Sequence, residues 1–254
     1  MVVRTWNLFH GRTVLPGGTA YLEEMVRLAA ADRPDALLLQ ELPLWALTEL
    51  HGWTGMQAFP QVAHRTLLGA TLGGMITRLN PGLLRSAVSG QGNAILLNPA
   101  FEVFDYHALV LNPWSFRKRQ TVDLESQLVW AKERRVLQAV RVRLPDERRA
   151  LIANVHATNR IWLAELELRR ATEFFLALAR AREIDVFGGD LNVREGAEAL
   201  GSLKAEGFSR IGPGVDHVLV RGAPVSPPER WPEARRRIGG VLVSDHAPLE
   251  VHVA

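Results

Sequence analysis

The sequence predicts an α/β fold in which two mixed β-sheets pack together and helices lie outside them. Three observations support this prediction. Apolar runs of strand length outnumber amphipathic runs of helix length. At least one pair of strands is joined as a hairpin, which a purely parallel sheet would not contain. The chain has 254 residues, 47% of them apolar, which suffices for a large core in one domain over residues 1–254.

Short apolar strands and one amphipathic helix are predicted for the N-terminal part of the chain. Residues 2–8 form the first strand, and residues 35–40 and 94–97 form two more. The helix after the first strand is capped by Thr19 and ends before Pro34. Its apolar side has helical spacing and consists of Leu22, Met25, Val26 and Ala29.

A hairpin is predicted for residues 136–158. Apolar side chains occupy one face of its first strand, and Arg141 and Arg143 occupy the other. A turn at residues 145–148 leads into the second strand, residues 150–158. The apolar face of the first strand consists of Val136, Val140, Val142 and Leu144.

The longest predicted helix covers residues 161–183, and Glu165 is spaced to pair with Arg169 on its surface. Its apolar seam consists of Ala164, Leu168, Ala171, Phe175 and Leu178. The proline-rich residues 223–237 are predicted to form one surface loop. The remaining predicted strands are residues 185–188, 215–220, 241–243 and 249–253.

Composition excludes several classes of site. The chain has no cysteine, so it holds no disulfide framework, zinc ribbon, iron–sulfur cluster or thiol nucleophile. The net charge of +3 permits an anionic partner without requiring one. Most of the cations are arginine, for which codon bias in a GC-rich genome is the preferred explanation. No apolar run approaches the roughly 18 residues of a membrane span, and residues 1–9 lack the core of a signal peptide, so we predict a cytoplasmic protein.

Polar residues with catalytic potential follow or begin the predicted strands. Carboxylate and amide oxygens suit Mg²⁺ or Mn²⁺, and imidazoles exchange protons near neutral pH. Together they are typical of phosphoester hydrolysis. Each residue alone could be a cap or a surface charge. Asp245 could pair with Arg4 or Arg141, and Asp190 and Asn192 could form an Asx turn. The set is Asn7, Glu41, His156, Asp190, Asn192, Asp216, His217, Asp245 and His246.

The order of these residues resembles the successive motifs of the endonuclease/exonuclease/phosphatase superfamily of DNase I-like phosphoesterases. The resemblance runs from residue 6 to residue 246. It implies an α/β (α+β) four-layered sandwich, in which two mixed sheets lie face to face between helices, and a Mg²⁺- or Mn²⁺-dependent activity. The motifs are Trp6-Asn7, Gln40-Glu41, Gly92-Asn93-Ala94-Ile95-Leu96, Asn154-Val155-His156, Gly189-Asp190-Leu191-Asn192, Val215-Asp216-His217-Val218 and Ser244-Asp245-His246.

The resemblance also implies a metal-ligand set. Glu41 would be the principal ligand of the cation, and Asn7 and Asp245 would assist it.

The catalytic roles implied by the resemblance fall on five residues. Asp190 would orient or deprotonate the attacking water, and Asn192 would contact the phosphate. His246 would hydrogen-bond the scissile phosphate, while Asp216 would hold its ring and raise its pKa. His156 would take the position of the second histidine found in the DNase I-like and sphingomyelinase-like branches.

Three histidines leave questions open at this stage. The sequence identifies no acidic partner for His156. His10 could line the cleft near the first motif or be an ordinary loop residue. His217 follows Asp216 on a predicted strand, so its side chain points to the opposite face and we predict a structural role for it. The abasic-site endonuclease branch places a tyrosine near the second histidine, and neither Tyr21 nor Tyr106 lies there.

Two basic segments could contact a substrate. The first has an aromatic residue beside three cations, which suits a nucleic-acid clamp, a lipid headgroup contact or a solvated loop: Trp114, Arg117, Lys118 and Arg119. The second segment is residues 231–237, in which Trp231 lies near a run of arginines. The two segments would form a basic rim if both flank the cleft. Asn93 is a weaker candidate for the cleft, with a turn role after Gly92 as its alternative.

The function predicted from these features is a metal-dependent phosphodiester hydrolase, most simply a nuclease that cuts DNA or RNA. The alternative is a phosphodiesterase or phosphatase of a lipid headgroup, an inositol phosphate or a small metabolite. A non-catalytic binding module is a third hypothesis, which retention of the acidic and histidine residues disfavours. No obligate protein partner is inferred.

Overall fold

The computed structural model describes residues 1–15, 19–64, 75, 90–209 and 214–254, and two β-sheets dominate it. The first sheet has the strand order β10-β13-β1-β2-β4-β3. Strands β1 and β2 are parallel, and the other neighbours are antiparallel. Its strands are β1 (Val2–Asn7), β2 (Ala36–Leu42), β3 (Gln57–His64), β4 (Gln91–Leu97), β10 (Glu229–Arg230) and β13 (Leu249–His252).

The second sheet has the order β5-β6-β7-β8-β9, and only β7 and β8 are parallel within it. The predicted hairpin is confirmed, since β6 and β7 pair antiparallel. A short ribbon of two strands, β11 (Arg237–Ile238) and β12 (Val241–Leu242), lies apart from both sheets. The strands of the second sheet are β5 (Glu102–Val110), β6 (Val136–Arg143), β7 (Arg149–His156), β8 (Ile184–Asp190) and β9 (Asp216–Arg221).

The two sheets pack face to face through an apolar core. Leu38 and Ile95 from the first sheet and Val140, Ile152 and Val186 from the second are buried in it. Strand β2 is buried on both faces, which explains why residues 36–39 are a continuous apolar run rather than an alternating one.

Helices cover the outer face of each sheet. Met25 and Val26 of the first helix pack on the outer side of β2, and Leu168 and Phe175 of the longest helix pack on the outer side of the second sheet. The layers are therefore helix, sheet, sheet and helix, which confirms the predicted four-layered sandwich. The helices are α1 (Leu22–Ala30), α2 (Leu50–Thr54), α3 (Trp114–Arg117), α4 (Leu124–Lys132), α5 (Ile161–Leu178) and α6 (Glu198–Ala205).

Two details of the predicted helices are wrong. Tyr21, not Thr19, precedes the first turn of α1, and its N–H donates to the carbonyl of Gly11. Helix α5 ends at Leu178 because Ala179 is extended, and the carbonyl of Leu178 accepts from the buried Arg141 instead.

The predicted pair between Glu165 and Arg169 is also wrong. Glu165 accepts from the first N–H groups of α6, those of Glu198 and Ala199, and Arg169 contacts Glu198. The carboxylate thus compensates the unpaired amides at the start of α6, which stabilises the contact between the two outer helices.

The face of β6 on which Arg141 was predicted to lie is not a solvent face. Leu137 and Ala139 on that face pack against α5, and Arg141 forms a buried ion pair with Glu183 at 3.1 Å. Helix α5 covers this side of the strand, so both faces of β6 are buried.

Residues 223–237 do not form one surface loop. Strand β10 pairs with β13, and the next residue, Trp231, is only 4% exposed. Its indole N–H donates to Glu250 at 2.9 Å, and the Arg4 guanidinium lies 4.4 Å from its ring centroid. This aromatic side chain therefore stabilises the first sheet.

No helix among the residues that the structure describes is long and apolar enough to span a membrane.

Candidate active site

The two parallel strand pairs bring the predicted polar residues to one edge of the sandwich. Residue Asn7 at the end of β1 pairs in register with Gln40, next to Glu41. In the second sheet, the end of β7 at His156 pairs with Asp190 at the end of β8, which pairs in turn with Asp216. Because the carboxyl ends of parallel neighbours lie at the same edge, these side chains meet above the apolar core.

Asp216 and His246 form a close ion pair in the site. His246 Nδ1 lies 2.9 Å from Asp216 Oδ1, and the Asp216 carboxylate is only 3% exposed. Burial acts to lower the pKa of His246, but the hydrogen bond and charge of Asp216 outweigh it and raise that pKa to about 10. The ring is an imidazolium at neutral pH, and its Nδ1–H donates to Asp216. Its Nε2 lies 3.8 Å from Asp190 Oδ2.

Asp190 is buried between this imidazolium and the first sheet. Asn7 Nδ2 donates to its Oδ2 at 2.9 Å, which is a direct side-chain link between the two sheets. Burial, and then the nearby charge of Asp216, raise the pKa of Asp190 to about 7. A carboxylate with such a pKa can accept a proton from water near neutral pH, as a general base requires.

His156 lies at the centre of the site, and no carboxylate among the described residues is within hydrogen-bond distance of it. Its Nε2 is 3.7 Å from Asp190 Oδ2 and 3.9 Å from Glu41 Oε1. Its close contacts are Gln91 Nε2, 2.9 Å from Nδ1, and Arg135 Nη1, 3.1 Å from Nε2. Burial, and then the positive charge of Arg135, hold the pKa of His156 well below its usual value, so the ring is neutral.

Sequence reasoning missed both partners of His156. Gln91 begins β4, and Arg135 immediately precedes β6 and pairs with Glu133 at 2.7 Å. A position next to a strand end was the only signal available for either residue, since nothing in the sequence shows that β4 and β6 approach each other across the sandwich.

His10 belongs to the site. It is 2% exposed, and its Nε2 lies 3.6 Å from Glu41 Oε2. The turn that carries it is backbone-strained, because Phe9 and His10 have φ of 49° and 55°. The Asn7 side chain accepts from the Phe9 N–H at 3.0 Å and holds the turn against the end of β1.

The loop that carries His246 is tied to the same turn. Ser244 Oγ donates to the carbonyl of Asn7 at 2.7 Å, and the Ser244 N–H donates to the carbonyl of Arg12. Arg236 Nη1 donates to the carbonyls of Ser244 and His246 from behind. Arg236 of the second predicted basic segment therefore supports this loop, whereas Arg235 pairs with Asp32.

Asp245 is exposed beside the site. It pairs with neither of the arginines that sequence reasoning offered as its partners. Arg4 contacts Asp32 and Glu250, and Arg141 contacts Asp105 and Glu183.

Asn192 lies beside Asp190, and Asn93 is buried on β4. The Asn192 N–H donates to Asp190 Oδ1 at 3.1 Å, so the Asx turn considered from the sequence is present, and Asn192 Nδ2 donates to the carbonyl of Ala157. Asn93 is 1% exposed, and neither polar atom of its side chain has a partner among the described residues. The structural role predicted for His217 fits its contact with the carbonyl of Val193 at 2.9 Å.

The first basic segment leaves the second sheet at the edge of the site. Strand β5 ends at Val110, which pairs with Val136, which pairs in turn with His156. Helix α3 follows, where Trp114 is 66% exposed and the Arg117 guanidinium lies 5.4 Å from its ring centroid. Lys118 and Arg119 are exposed after this helix.

The donor set fits a divalent cation. Ligand atoms of Asp190, Asp216 and His246 lie within 4.8 Å of one another, but a protonated imidazole has no lone pair for a metal. The Glu41 carboxylate is a better ligand. No described residue donates a hydrogen bond to it, although two imidazoles flank it at 3.6 and 3.9 Å.

Comparisons with known proteins identify the family and the fold. The sequence model described as the Endonuclease/Exonuclease/phosphatase family matches residues 5–246. No curated protein matches the chain in sequence.

Solved structures similar to this chain share its fold at low identity. An endonuclease/exonuclease/phosphatase from Beutenbergia cavernae has a TM-score of 0.70 at 15% identity, covering 100% of this chain and 71% of its own. A mannosyl-6-phosphatase from Bacteroides thetaiotaomicron has a TM-score of 0.65 at 14% identity, covering 100% and 99%. A truncated TDP2 from Caenorhabditis elegans has a TM-score of 0.60 at 16% identity, covering 99% and 96%.

Proposed function

The chain belongs to the Endonuclease/Exonuclease/phosphatase family, a family of phosphoester hydrolases, and on this premise we propose that it is a metal-dependent phosphodiesterase that cuts DNA or RNA. The observation that carries the hydrolytic part is the Asp216–His246 ion pair at 2.9 Å next to the buried Asp190. An imidazolium and a carboxylate with a pKa of about 7 at one cleft are the acid and base that attack of water on a phosphoester needs.

The side chains have distinct roles in this proposal. Asp190 accepts the proton of the attacking water, and Asn7 orients Asp190 through their hydrogen bond. His246 donates from Nε2 to a phosphate oxygen and stabilises the negative charge that develops there. Asp216 keeps the ring of His246 charged and oriented, and Asn192 contacts the phosphate from the adjacent turn.

Glu41, assisted by Asn7 and Asp245, would hold the Mg²⁺ or Mn²⁺ ion. When bound, such an ion neutralises charge on the phosphate oxygens. No described residue donates a hydrogen bond to the Glu41 carboxylate, and the imidazoles beside it lie 3.6 and 3.9 Å away, which supports this assignment.

The basic segment around α3 supports nucleic acid as the substrate. Trp114 exposes an aromatic face beside Arg117, and Lys118 and Arg119 add two exposed cations. Such a surface binds a polynucleotide by stacking on bases and by contacts with successive phosphates. A small phosphorylated metabolite would not reach beyond the reacting centre and would gain little from these side chains.

A second candidate is a phosphatase or phosphodiesterase of a small metabolite or lipid headgroup. The similar fold of the Bacteroides mannosyl-6-phosphatase favours it, since the same architecture accommodates a phosphosugar in that protein.

Activity on defined substrates decides between the two. Supercoiled plasmid and single-stranded RNA are incubated with the protein across a Mg²⁺ and Mn²⁺ titration, with His246→Ala in parallel and His252→Ala as the control. We expect metal-dependent cleavage that salt weakens and that His246→Ala reduces by about 100-fold or more. Equal cleavage by His246→Ala and the wild type would contradict the mechanism. Turnover of sugar phosphates, inositol phosphates or phospholipids alone would replace the substrate assignment.

A further inference from the structure

Helix α4 presents an apolar face to solvent. Leu124 is 75% exposed, Leu128 is 62% exposed, and Ala131 is exposed one turn further along the helix. Their spacing of i, i+4 and i+7 places them on one side of the helix. The opposite side is anchored by the buried Trp130, whose indole N–H donates to Glu167 at 2.7 Å. Both sides of α4 therefore carry apolar side chains, although only one side packs against the protein.

Helix α3 extends this apolar surface. The Arg117 guanidinium lies 5.4 Å from the ring centroid of the exposed Trp114, and Arg117 Nη1 donates to the carbonyl of Gln127 at 3.4 Å. Gln127 is one helical turn from Leu124, so the Trp114 ring lies next to the leucines. Contiguous exposed apolar side chains mark a binding surface. This surface, the α3–α4 face, consists of Trp114, Leu124, Leu128 and Ala131.

Positive charge surrounds the α3–α4 face. Residues 114–132 contain four cations and two acids. Both acids already have partners, because Asp123 caps α4 by accepting from the N–H of Ser126, and Glu125 pairs with Arg160 at 3.0 Å. The face therefore complements a negatively charged partner. The four cations are Arg117, Lys118, Arg119 and Lys132.

The α3–α4 face lies at the same end of the sandwich as the catalytic cleft. Arg135 follows α4 by three residues and contacts His156. Glu167, which accepts from Trp130 of α4, also accepts from the N–H of Thr158 at 2.7 Å, two residues after His156. A partner bound to the face would consequently lie beside the cleft.

We propose that the α3–α4 face docks the protein on an anionic lipid bilayer, with its leucines among the acyl chains and its cations on the headgroup phosphates. Leucine, tryptophan and cations exposed on one amphipathic surface are typical of peripheral membrane binding. This inference goes beyond the proposed hydrolase and does not depend on the substrate of the cleft.

Other partners use this surface less fully. A polynucleotide would engage Trp114 and the cations but not the leucines, because bases stack on aromatic rings. A second copy of this chain would bring its own positive charge to the contact, and like charges across an interface oppose association. An anionic bilayer uses both the aliphatic side chains and the cations.

Vesicle binding tests the proposal without measuring hydrolysis. Cosedimentation compares vesicles of equal parts phosphatidylcholine and phosphatidylglycerol with vesicles of phosphatidylcholine alone. The variant combines Leu124→Ser and Leu128→Ser, two exposed positions outside the core. Phe104→Ser, at an exposed aromatic residue of β5, is the matched control.

A fluorescent label reports whether the α3–α4 face itself enters the bilayer. Because the chain has no cysteine, Ala131→Cys accepts a single environment-sensitive fluorophore on the face. Ser202→Cys, at an exposed position of α6, is the control for labelling. On anionic vesicles, we expect a blue shift of the emission at position 131 and no shift at position 202.

We expect the wild type and Phe104→Ser to bind the anionic vesicles with affinities that agree within about twofold, and salt to weaken this binding. The double leucine variant should bind about 10-fold more weakly or worse. Absence of binding by the wild type, or equal affinity of the wild type and the double variant, would overturn the proposal.

Two other results would assign the face to a different partner and overturn the proposal. One is a dimer of the wild type, seen by analytical ultracentrifugation, that the double variant cannot form while neither protein binds vesicles. The other is a loss of single-stranded RNA affinity in the double variant without vesicle binding by the wild type. Cleavage of plasmid and RNA is measured without vesicles, so failure of this proposal and failure of the proposed function are separate results.

Discussion

The charge state of His246 can be tested by Asp216→Asn, which keeps the shape of the side chain and removes its charge. Asp216 is the main cause of the rise in the pKa of His246 from 6.5 to about 10, and without it the opposing effect of burial should lower that pKa. At pH 8.5, a pKa of about 10 keeps about 97% of the wild-type rings protonated, since each pH unit changes the ratio tenfold, and the variant should hold a smaller imidazolium fraction. The alkaline limb of kcat/KM should move to lower pH accordingly.

The same substitution should change how stability depends on pH. A raised folded-state pKa means that the contribution of His246 is fully present below pH 6.5 and is lost as the pH rises through about 10. The difference between the unfolded-state pKa of 6.5 and the folded-state pKa of about 10 corresponds to about 5 kcal/mol of stability, at about 1.4 kcal/mol per pH unit. Urea unfolding at pH 6 and pH 9.5 should therefore show a steeper loss of stability in the wild type than in Asp216→Asn.

Proton NMR of the histidine rings measures the pKa directly. Asp146→Asn, the same substitution in the turn between β6 and β7, should leave the His246 titration unchanged. A pKa of His246 that stays near 10 in Asp216→Asn would refute the assignment of Asp216 as its cause, and parallel pH profiles of stability would refute the linkage.

Two further substitutions test charges beside the core. Arg141→Met should lower the free energy of unfolding by about 3–5 kcal/mol, because it leaves Glu183 buried without its partner. Urea denaturation measures this loss. The control is Arg143→Met, at a half-exposed arginine on the same strand, which should change the free energy of unfolding by less than about 1 kcal/mol. Arg135→Met should raise the pKa of His156, since the positive charge of Arg135 contributes to lowering it. An unchanged His156 titration by NMR would contradict that cause. Lys118→Met is the control and should leave the titration unchanged.

Much of the fold was predictable because its elements have strong local signals. Strand β2 begins with a continuous apolar run, the seam of α5 has helical spacing, and the β6–β7 hairpin has a turn at its centre. The edges of elements were less predictable, since they depend on tertiary contacts. Helix α5 ends where Arg141 from β6 takes the carbonyl of Leu178, and no local pattern reveals that contact.

The site was predictable where each residue follows its own strand. Asp190 and Asp216 lie at paired ends of β8 and β9, so a correct strand assignment brings them together. Arg135 and Gln91 were missed because their function depends on which strands face each other across the sandwich. Trp231 was placed on the surface because a proline-rich sequence predicts a loop but does not show what its aromatic side chain packs against.

The relative position of the two halves of the site depends on a buried amide pair just below it. Gln40 Nε2 donates to Asn154 Oδ1 at 2.7 Å across the sandwich, and Asn154 Nδ2 donates to the carbonyls of Leu39 and Ala94. An apolar interface alone tolerates small displacements of one sheet over the other, whereas directional hydrogen bonds between buried groups do not. Gln40 precedes Glu41 and Asn154 lies two residues before His156, so this pair fixes the distance between the carboxylate and the second sheet.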